Sequence, residues 1–408
     1  MNTINCASPA RIHDNYGFST KSRDEFVKEI KEIQADSAWD EEVPADTLKI
    51  THIQPIDAYM LSEKYGIDQD ILADTADEEG TKLLLQAGNE INGTIQCLRD
   101  TGYYGLLQTA IGLSGSGIKR LWKRSRDLFV ESMNEFLKSN GNSMKVYRSC
   151  GKVSGVFSQT YKVMEIPELF EISEEAFAKR LGDSSFESGE LTHSLTSCGW
   201  ALPDIKEKLM DSYHEAVNSI NYNLDFTPSV KLVSSNTGSA SAMLLPMLKS
   251  DNGRQFPLGR GVRIRHDNRN IGKYTTGCGM NDFKQQANEL FPRFMDSMEA
   301  LKNMAQCDIE YTQNAFIAAC NWAFGNNVPS KYASAALDSF MDITEGDPCS
   351  MHDIFIGICD IATEASKNGA SLERRSAIDD ALARFYGYRG DWSDFDISGT
   401  VAWNTSAK

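Results

Sequence analysis

The sequence predicts an α+β protein in which a central antiparallel β-sheet lies between a helical N-terminal region and a helical C-terminal domain. Apolar residues at helical spacing mark both ends of the 408-residue chain. Short runs rich in Val, Tyr and Phe, separated by Gly, Ser and Asn, occupy the middle. Because helices and strands fall in separate regions and do not alternate, the pattern favours α+β over a parallel α/β fold. We predict three domains with boundaries at residues 1–100, 101–275 and 276–408.

The first hundred residues are acidic and are predicted to be mainly helical. Phe26, Val27, Ile30 and Ile33 have helical spacing within Asp24–Ile33. Ala35–Ala45 is acidic, contains Pro44 and is predicted to be a loop. Two further helices are predicted at Asp57–Ala73 and Gly80–Arg99.

The middle of the chain changes to a mixed pattern. The Gly-rich loop Gly112–Gly117 leads into a helix from Ile118 to about Ser139. Two more helices are predicted at Ile166–Leu181 and Ile205–Asn221. The predicted strands are Met144–Arg148, Lys152–Ser158, Tyr161–Met164, Glu190–Ala201, Val230–Ser235, Ala240–Leu248 and Gly261–His266.

The C-terminal part is predicted to be helical from Asn281 to about residue 387. Pro292 should kink or split the first of these helices, because proline cannot continue the backbone hydrogen bonding. The tail Gly387–Lys408 is predicted to be a loop, with Trp392 and Trp403 as anchors.

Composition narrows the class of protein. The apolar content of 41% is typical of a globular protein with a sizeable core. No apolar run approaches the roughly 18 residues that a membrane-spanning helix needs, and the first residues lack the apolar core of a secretory signal. The nine cysteines are widely spaced without C-x-x-C pairs, which favours reduced, mostly buried thiols in a cytosolic protein.

Positive charge is gathered into two segments of an otherwise acidic chain of net charge −16. We call Thr101–Val163 basic island one; it carries ten Lys and Arg residues against three acidic ones. Basic island two, Thr227–Thr275, carries eight against two. Binding of a polyanion depends on local potential and not on total charge, so the islands indicate a nucleic-acid partner.

Both islands supply candidate phosphate-binding residues. Strand periodicity places Val262 and Ile264 on one face and Arg263 and Arg265 on the other, where the guanidinium groups form a row suited to phosphates. The full predicted set is Lys119, Arg120, Lys123, Arg124, Arg126, Arg148, Lys152, Arg260, Arg263, Arg265, Arg269 and Lys273. Aromatic residues interleaved with them, which could stack on bases, are Trp122, Tyr147, Tyr161 and Tyr274. The alternative is that the cations pair with the protein's own acidic residues and that the aromatic rings belong to the core.

Signals of catalysis are weak. GLSGSGIKR departs from the P-loop pattern, because Ile118 and Lys119 follow Gly117 where the pattern requires Lys and Ser or Thr. The adjacent His266 and Asp267 could form a catalytic pair, but no nucleophile lies near them in sequence, and a structural histidine is the favoured interpretation. We therefore expect no cofactor and no metal, and a non-enzymatic role is favoured over catalysis.

Three segments resemble a family of phage and plasmid proteins of unknown function. Tyr147–Glu171 is similar to the family's segment S-x-R-Y-x-x-x-x-N-x-E-L, with Thr160 in place of the arginine. Lys231–Leu248 resembles the strand pair that precedes its R-x-R-H strand, here Arg263–His266, and Pro348–Lys367 resembles a C-terminal helix. The resemblance spans roughly 144–390 and implies a mobile-element setting in the cytoplasm of a bacterial host cell, without an assigned activity. A more remote similarity of architecture is to single-strand annealing proteins, which hold DNA in a basic groove.

Three hypotheses follow. The first is a phage-type nucleic-acid-binding protein, with single-stranded DNA as the favoured partner and annealing or recombination as its activity. The second is a structural or counter-defence protein without a nucleic-acid role, in which the basic islands bind its own acidic segments within or between subunits. The third is an enzyme of unrecognised type, which a clustering of His266, Asp267, Cys278 and acidic residues around one pocket would support. We expect the protein to form a homo-oligomer and expect no membrane partner.

Overall fold

The structure is a computed structural model that describes residues 9–53, 82–87, 94–113, 116–217, 226–250, 254–267 and 277–404. Within these ranges the strands are β1 (Gly17–Thr20), β2 (Ser37–Pro44), β3 (Lys49–Ile53), β4 (Lys82–Ala87), β5 (Thr94–Leu98), β6 (Ser143–Ser149), β7 (Lys152–Ser158), β8 (Ser185–Thr192), β9 (Thr196–Ala201), β10 (Phe226–Ser234), β11 (Ala242–Ser250), β12 (Gln255–Pro257), β13 (Val262–Arg265), β14 (Gly277–Cys278), β15 (Asp308–Ile309) and β16 (Cys349–Ser350).

The described α-helices are α1 (Arg23–Ala35), α2 (Asp100–Gly105), α3 (Ser116–Arg124), α4 (Arg126–Ser139), α5 (Ile166–Arg180), α6 (Lys206–Ala216), α7 (Met280–Ala287), α8 (Leu290–Ala305), α9 (Thr312–Phe324), α10 (Ser330–Thr344), α11 (Met351–Lys367) and α12 (Leu372–Phe385). A π-helical turn, Leu106–Ile111, continues α2.

The larger sheet, which we call sheet A, has the strand order β1-β8-β9-β10-β11-β13-β14, with β12 also paired to β11. Its pairs are antiparallel apart from the short parallel pair β13–β14. In the hairpin of β10 and β11, Leu232 lies opposite Leu244. Trp200 of β9 lies opposite Val230 and packs against Phe170 and Phe177 of α5.

The two faces of sheet A are covered by different helices. Val230, Leu232 and Leu244 belong to the main core, which also contains apolar residues of α5 and α6. Val233 and Leu245 point the other way and pack in a separate cluster with Leu372 and Ala383 of α12. Since successive side chains of a strand alternate between faces, Lys231 lies on the α12 face.

The smaller sheet, sheet B, has the order β2-β6-β7-β5-β4-β3. Helix α4 and the π-helical turn cover one face, where Phe129, Met133 and Leu137 pack on Val146 and Val156. Helix α2 lies very close to β7, because a Cβ atom at Gly102 would be 2.4 Å from the Val153 carbonyl oxygen. Glycine is therefore required at this contact.

Several predictions are confirmed. The protein is α+β with mainly antiparallel sheets, and residues 280–385 are predominantly helical. The helix predicted across Pro292 is split into α7 and α8, and the break lies just before the proline as its steric effect requires. The cysteines of the described ranges are free thiols, most of them buried.

The N-terminal region differs from the prediction, because its described part contains five strands and one α-helix of 13 residues. Gly80–Arg99, predicted to be a helix, contains β4 and β5 instead. Its apolar run fits either structure, and the Gly- and Asn-rich residues 88–93 are typical of a turn between strands. The predicted helix Asp57–Ala73 lies outside the described residues.

Other local predictions also need correction. Ala35–Ala45 is not a loop: it contains β2, an edge strand, where charged residues and a terminal proline are tolerated. Tyr161–Met164 is irregular, although the Lys162 N–H donates to the His266 carbonyl oxygen at 2.6 Å. Glu190–Ala201 folds as two strands joined at residues 193–195 and not as one.

The strands form two main sheets and not the one central sheet that was predicted. The first hundred residues contribute to both: β1 pairs with β8 in sheet A, and β2 pairs with β6 in sheet B. The predicted domain boundary at residue 100 is thus crossed by strand pairing.

Candidate nucleic-acid interface

Helix α3 carries the first group of predicted phosphate-binding residues. Its Ile118 and Leu121 pack against the core of sheet B. The opposite side is hydrophilic, as expected of an amphipathic helix whose apolar stripe is used for packing. The exposed cationic side chains of α3 are Arg120, Lys123 and Arg124. Lys119 lies in the same helix.

The junction of α3 and α4 organises the next two candidates. Ser125 caps α4 by accepting a hydrogen bond from the Leu128 N–H at 3.4 Å. The Arg126 guanidinium lies 5.4 Å from the Trp122 ring centroid. Trp122 is half-buried and makes an edge contact with Phe129 at 5.1 Å, so stacking on a base would require these contacts to rearrange.

The cations on the strands of basic island one are held by carboxylates of the N-terminal region. Arg148 makes a bidentate ion pair with Asp40, with both N–O distances 2.8 Å. Lys152 is fully buried and donates to Asp14 at 2.9 Å. Neither side chain is available to a phosphate in this arrangement.

Most of the described cations of basic island two also bond other parts of the chain, chiefly residues of the C-terminal helices. Arg263 forms an ion pair with Asp380 of α12, and Arg260 donates a hydrogen bond to the Gly387 carbonyl oxygen. Other cations of this island that pair with carboxylates are Lys231 with Asp379 at 2.6 Å, Lys249 with Glu187 at 3.2 Å and Arg254 with Asp360 at 2.8 Å. Much of this island therefore fixes the C-terminal helices to sheet A.

The alternation predicted for β13 is confirmed: Val262 and Ile264 are fully buried, and Arg263 and Arg265 are half-buried on the opposite face. Burial, together with Arg384 and Arg265, lowers the pKa of Arg263 to about 10, so the group remains charged at pH 7. Arg265 has no carboxylate within 4.0 Å in the part of the chain that the structure describes. Arg269, Lys273 and Tyr274 lie outside the described residues.

Two predicted stacking residues are in the interior. The Tyr147 hydroxyl donates to Ser37 Oγ at 3.1 Å, and the ring packs 4.6 Å from Trp39. Tyr161 is stacked between Phe157, at 4.1 Å, and His266, at 4.7 Å. Burial raises the pKa of both tyrosines above its ordinary value. These rings connect sheet B with the end of β13 and do not offer free faces.

The residues considered for catalysis are not arranged as a reactive site. His266 Nδ1 bonds the Lys162 carbonyl oxygen at 2.9 Å, and burial lowers the pKa of this imidazole to about 4. Burial raises the pKa of the Cys278 thiol; Lys162 opposes this, and Asp267 and Asp282 add to it, whereas a nucleophilic cysteine needs a lowered pKa. Within the described ranges, no group of three His, Cys, Asp or Glu residues could hold a metal ion.

Sequence reasoning missed the residues that neutralise the islands. Asp40 was assigned to a loop, and Asp379 and Asp380 were treated only as part of a C-terminal helix. Lys231 and Asp379 are 148 residues apart, so no local pattern connects them. The abundance of acidic residues at both ends of the chain could have indicated this pairing. It is consistent with the alternative in which the cations pair with the protein's own carboxylates.

Comparison with known proteins yields no family model, curated protein or solved structure that matches this chain. Among the helices of the described ranges, none is long and apolar enough to cross a membrane.

Proposed function

We propose that this protein binds the phosphate backbone of nucleic acid through the outer face of α3. The observation that carries the proposal is the exposure of Arg120, Lys123 and Arg124 without a carboxylate within 4.0 Å among the described residues. Many other candidates are paired internally. This surface is narrower than the groove of two islands that the sequence predicts.

The geometry of α3 supports backbone binding more than recognition of bases. Arginine and lysine side chains on a solvent-facing helix can each neutralise one phosphate, and the binding is then independent of sequence. The predicted stacking residues of the described ranges are buried or covered, so they add little preference for bases. Single-stranded DNA remains the partner to test first, and the resemblance to phage and plasmid proteins is the basis for proposing a mobile-element role in recombination or strand annealing.

The test is the triple substitution Arg120→Glu/Lys123→Glu/Arg124→Glu in the full chain. Three phosphate contacts should make binding roughly 50- to 150-fold tighter at 0.15 M salt than at 1 M salt, because each contact releases counterions. We expect the variant to lose about that factor at 0.15 M salt, and its salt dependence to fall by a slope of about 2–3. Fluorescence anisotropy with labelled single- and double-stranded DNA and RNA over a salt series measures both quantities.

The matched control is Lys179→Glu/Lys284→Glu/Lys302→Glu, which changes the net charge equally at exposed positions on three other helices. Binding that is absent in the wild type, or that falls equally in both triple variants, would refute a specific site on α3. Strand annealing is tested separately. If the protein has this activity, the wild type should accelerate the pairing of two complementary DNA strands.

A second candidate is a phage interaction protein without a nucleic-acid role. The observation that favours it is the pairing of the basic strands with the protein's own acidic residues, exemplified by Arg148 with Asp40 and Arg263 with Asp380. Size-exclusion chromatography over a salt series, without nucleic acid, tests the intersubunit form of this idea. Oligomers that dissociate as salt rises, together with failure to bind any nucleic acid, would favour it over the first proposal.

A further inference from the structure

The C-terminal tail lies along one helix as an extended segment. After α12 the chain forms a short 3-10 turn, Trp392–Phe395, and residues 396–404 then run beside α9 without regular secondary structure. Asp396 begins this contact, because its Oδ1 accepts the N–H groups of Glu310 at 3.1 Å and Tyr311 at 2.8 Å. The tail is therefore held from the N-terminal end of α9 onward.

Two asparagine side chains of α9 hold the tail through its backbone. Asn314 Nδ2 donates to the carbonyl oxygens of Ile397, at 2.7 Å, and Gly399. Asn321 Nδ2 donates to the Ala402 carbonyl oxygen at 2.8 Å, and its Oδ1 accepts the Asn404 N–H, also at 2.8 Å. An amide that both donates to and accepts from an extended backbone reproduces the pairing made by a neighbouring β-strand.

The spacing of the two asparagines matches an extended chain. Seven residues of α-helix advance about 10 Å, and three residues of extended chain, from Gly399 to Ala402, also advance about 10 Å. Asn314, Ala318 and Asn321 lie on one face of α9 at helical intervals of four and three. Ala318, between the two asparagines on this face, carries only a methyl group.

Alternate side chains of the tail supply apolar anchors. Val401 and Trp403 are half-buried and pack on the main core, whereas Thr400, Ala402 and Asn404 are exposed. The Trp403 ring makes an edge contact with Phe316 of α9, with ring centroids 6.4 Å apart. This alternation is that of an added β-strand, with backbone contacts for affinity and every second side chain for register.

We propose that the Asn314–Asn321 face of α9 is a receptor for an extended peptide of this pattern, and that it can accept the tail of a second copy of the chain in place of its own. The second copy carries the same residues 396–404, so its tail can make the contacts that the chain's own tail makes with α9. The covalently attached tail competes at an effective concentration of about millimolar, which keeps the face closed in the isolated chain. Exchange of an identical segment between two copies is a low-cost route to a dimer.

The test uses two complementary full-length variants. The acceptor variant, Val401→Ala/Trp403→Ala, weakens its own tail and keeps the receptor face. The donor variant, Asn314→Ala/Asn321→Ala, weakens the receptor face and keeps the tail. We expect each variant alone to elute as a monomer in size-exclusion chromatography with light scattering, and an equimolar mixture at about 100 µM to give a heterodimer, because only the mixture pairs an intact tail with an intact face.

A labelled peptide of residues 396–404 supplies an independent measurement. It should bind the acceptor variant at least ten-fold more tightly than the wild type, dissociate the heterodimer, and lose binding when its tryptophan is replaced by alanine. If circular dichroism shows that the acceptor variant is not folded, Asn404→Pro replaces it, because proline removes the N–H that Asn321 accepts. A mixture that remains monomeric while the peptide fails to bind folded acceptor would overturn the proposal; a heterodimer that the peptide dissociates would support it.

Discussion

Removing the Asp379 carboxylate tests whether the cations of basic island two are structural. Asp379 of α12 is 2% exposed and accepts a hydrogen bond from Lys231 Nζ of β10 at 2.6 Å, where the Lys231 side chain is 16% exposed. The change Asp379→Ala leaves the ammonium group in the same buried position without its closest partner. An unpaired buried charge destabilises the folded state more than loss of an exposed ion pair does.

The expected magnitude follows from burial and distance. With an effective dielectric constant of about 20, Coulomb's law gives roughly 6 kcal/mol for charges at this separation. Dehydration of both groups opposes that attraction, and removal of one partner of a buried pair typically costs about 3–5 kcal/mol. Glu190 still interacts electrostatically with Lys231, so we expect the lower part of that range.

Urea unfolding followed by circular dichroism and tryptophan fluorescence measures the change in the free energy of unfolding. The matched variant is Lys231→Met/Asp379→Leu, which replaces both charges by apolar side chains and should stay within about 1 kcal/mol of the wild type. A wild-type transition for Asp379→Ala would refute the structural role of the pair. Equal destabilisation of the single and double variants would instead assign the loss to packing.

Two further predictions concern a close contact and a buried histidine. Gly102→Ala should destabilise the protein by about 1–3 kcal/mol, because its Cβ would lie 2.4 Å from the Val153 carbonyl oxygen. Gly117→Ala is the matched control: the space around Gly117 is open, and alanine should stabilise the helix by up to about 1 kcal/mol. Thermal unfolding of the two variants and the wild type measures the difference. His266 has a folded-state pKa of about 4, below the unfolded value of about 6.5, so its contribution is present above pH 6.5 and is lost as the pH falls through 4. Between pH 7 and 4.5 the free energy of unfolding should therefore fall by roughly 2–3 kcal/mol less in His266→Gln than in the wild type. Urea unfolding at the two pH values measures this difference. An equal fall in both proteins would contradict the prediction.

Local pattern predicted much of the fold. The helices of residues 280–385 were predictable because each buries an apolar stripe at regular helical spacing. The faces of β13 were predictable because alternation in a strand is a property of the backbone itself. Gly80–Arg99 was assigned incorrectly, since a short apolar run fits a helix or a buried strand and pairing of β4 with β5 and β3 selects the strand.

The sequence predicted which segments carry the cationic side chains, but not which of those side chains are free of carboxylate partners and exposed to solvent. The sequence located the cationic segments, and α3 presents Arg120, Lys123 and Arg124 to solvent as its amphipathic pattern indicates. The state of Arg148 or Arg263 depends on Asp40 and Asp380, which come from distant parts of the chain. Nothing local to an arginine shows which carboxylate will be folded against it.

The sequence alone therefore determined that positive charge is concentrated in two segments, that these segments contain strands, and that Arg263 and Arg265 share a face. The tertiary structure decided that much of that charge is used internally, because folding pairs the N-terminal acidic strand β2 with β6 of sheet B and packs α12 on sheet A. A charge in contact with an opposite charge at low exposure contributes to folding and cannot at the same time attract a phosphate. Arg120, Lys123 and Arg124 on the exposed face of α3 are among the cations that this pairing leaves without a carboxylate in the described part of the chain, and they form the surface that we propose for a partner.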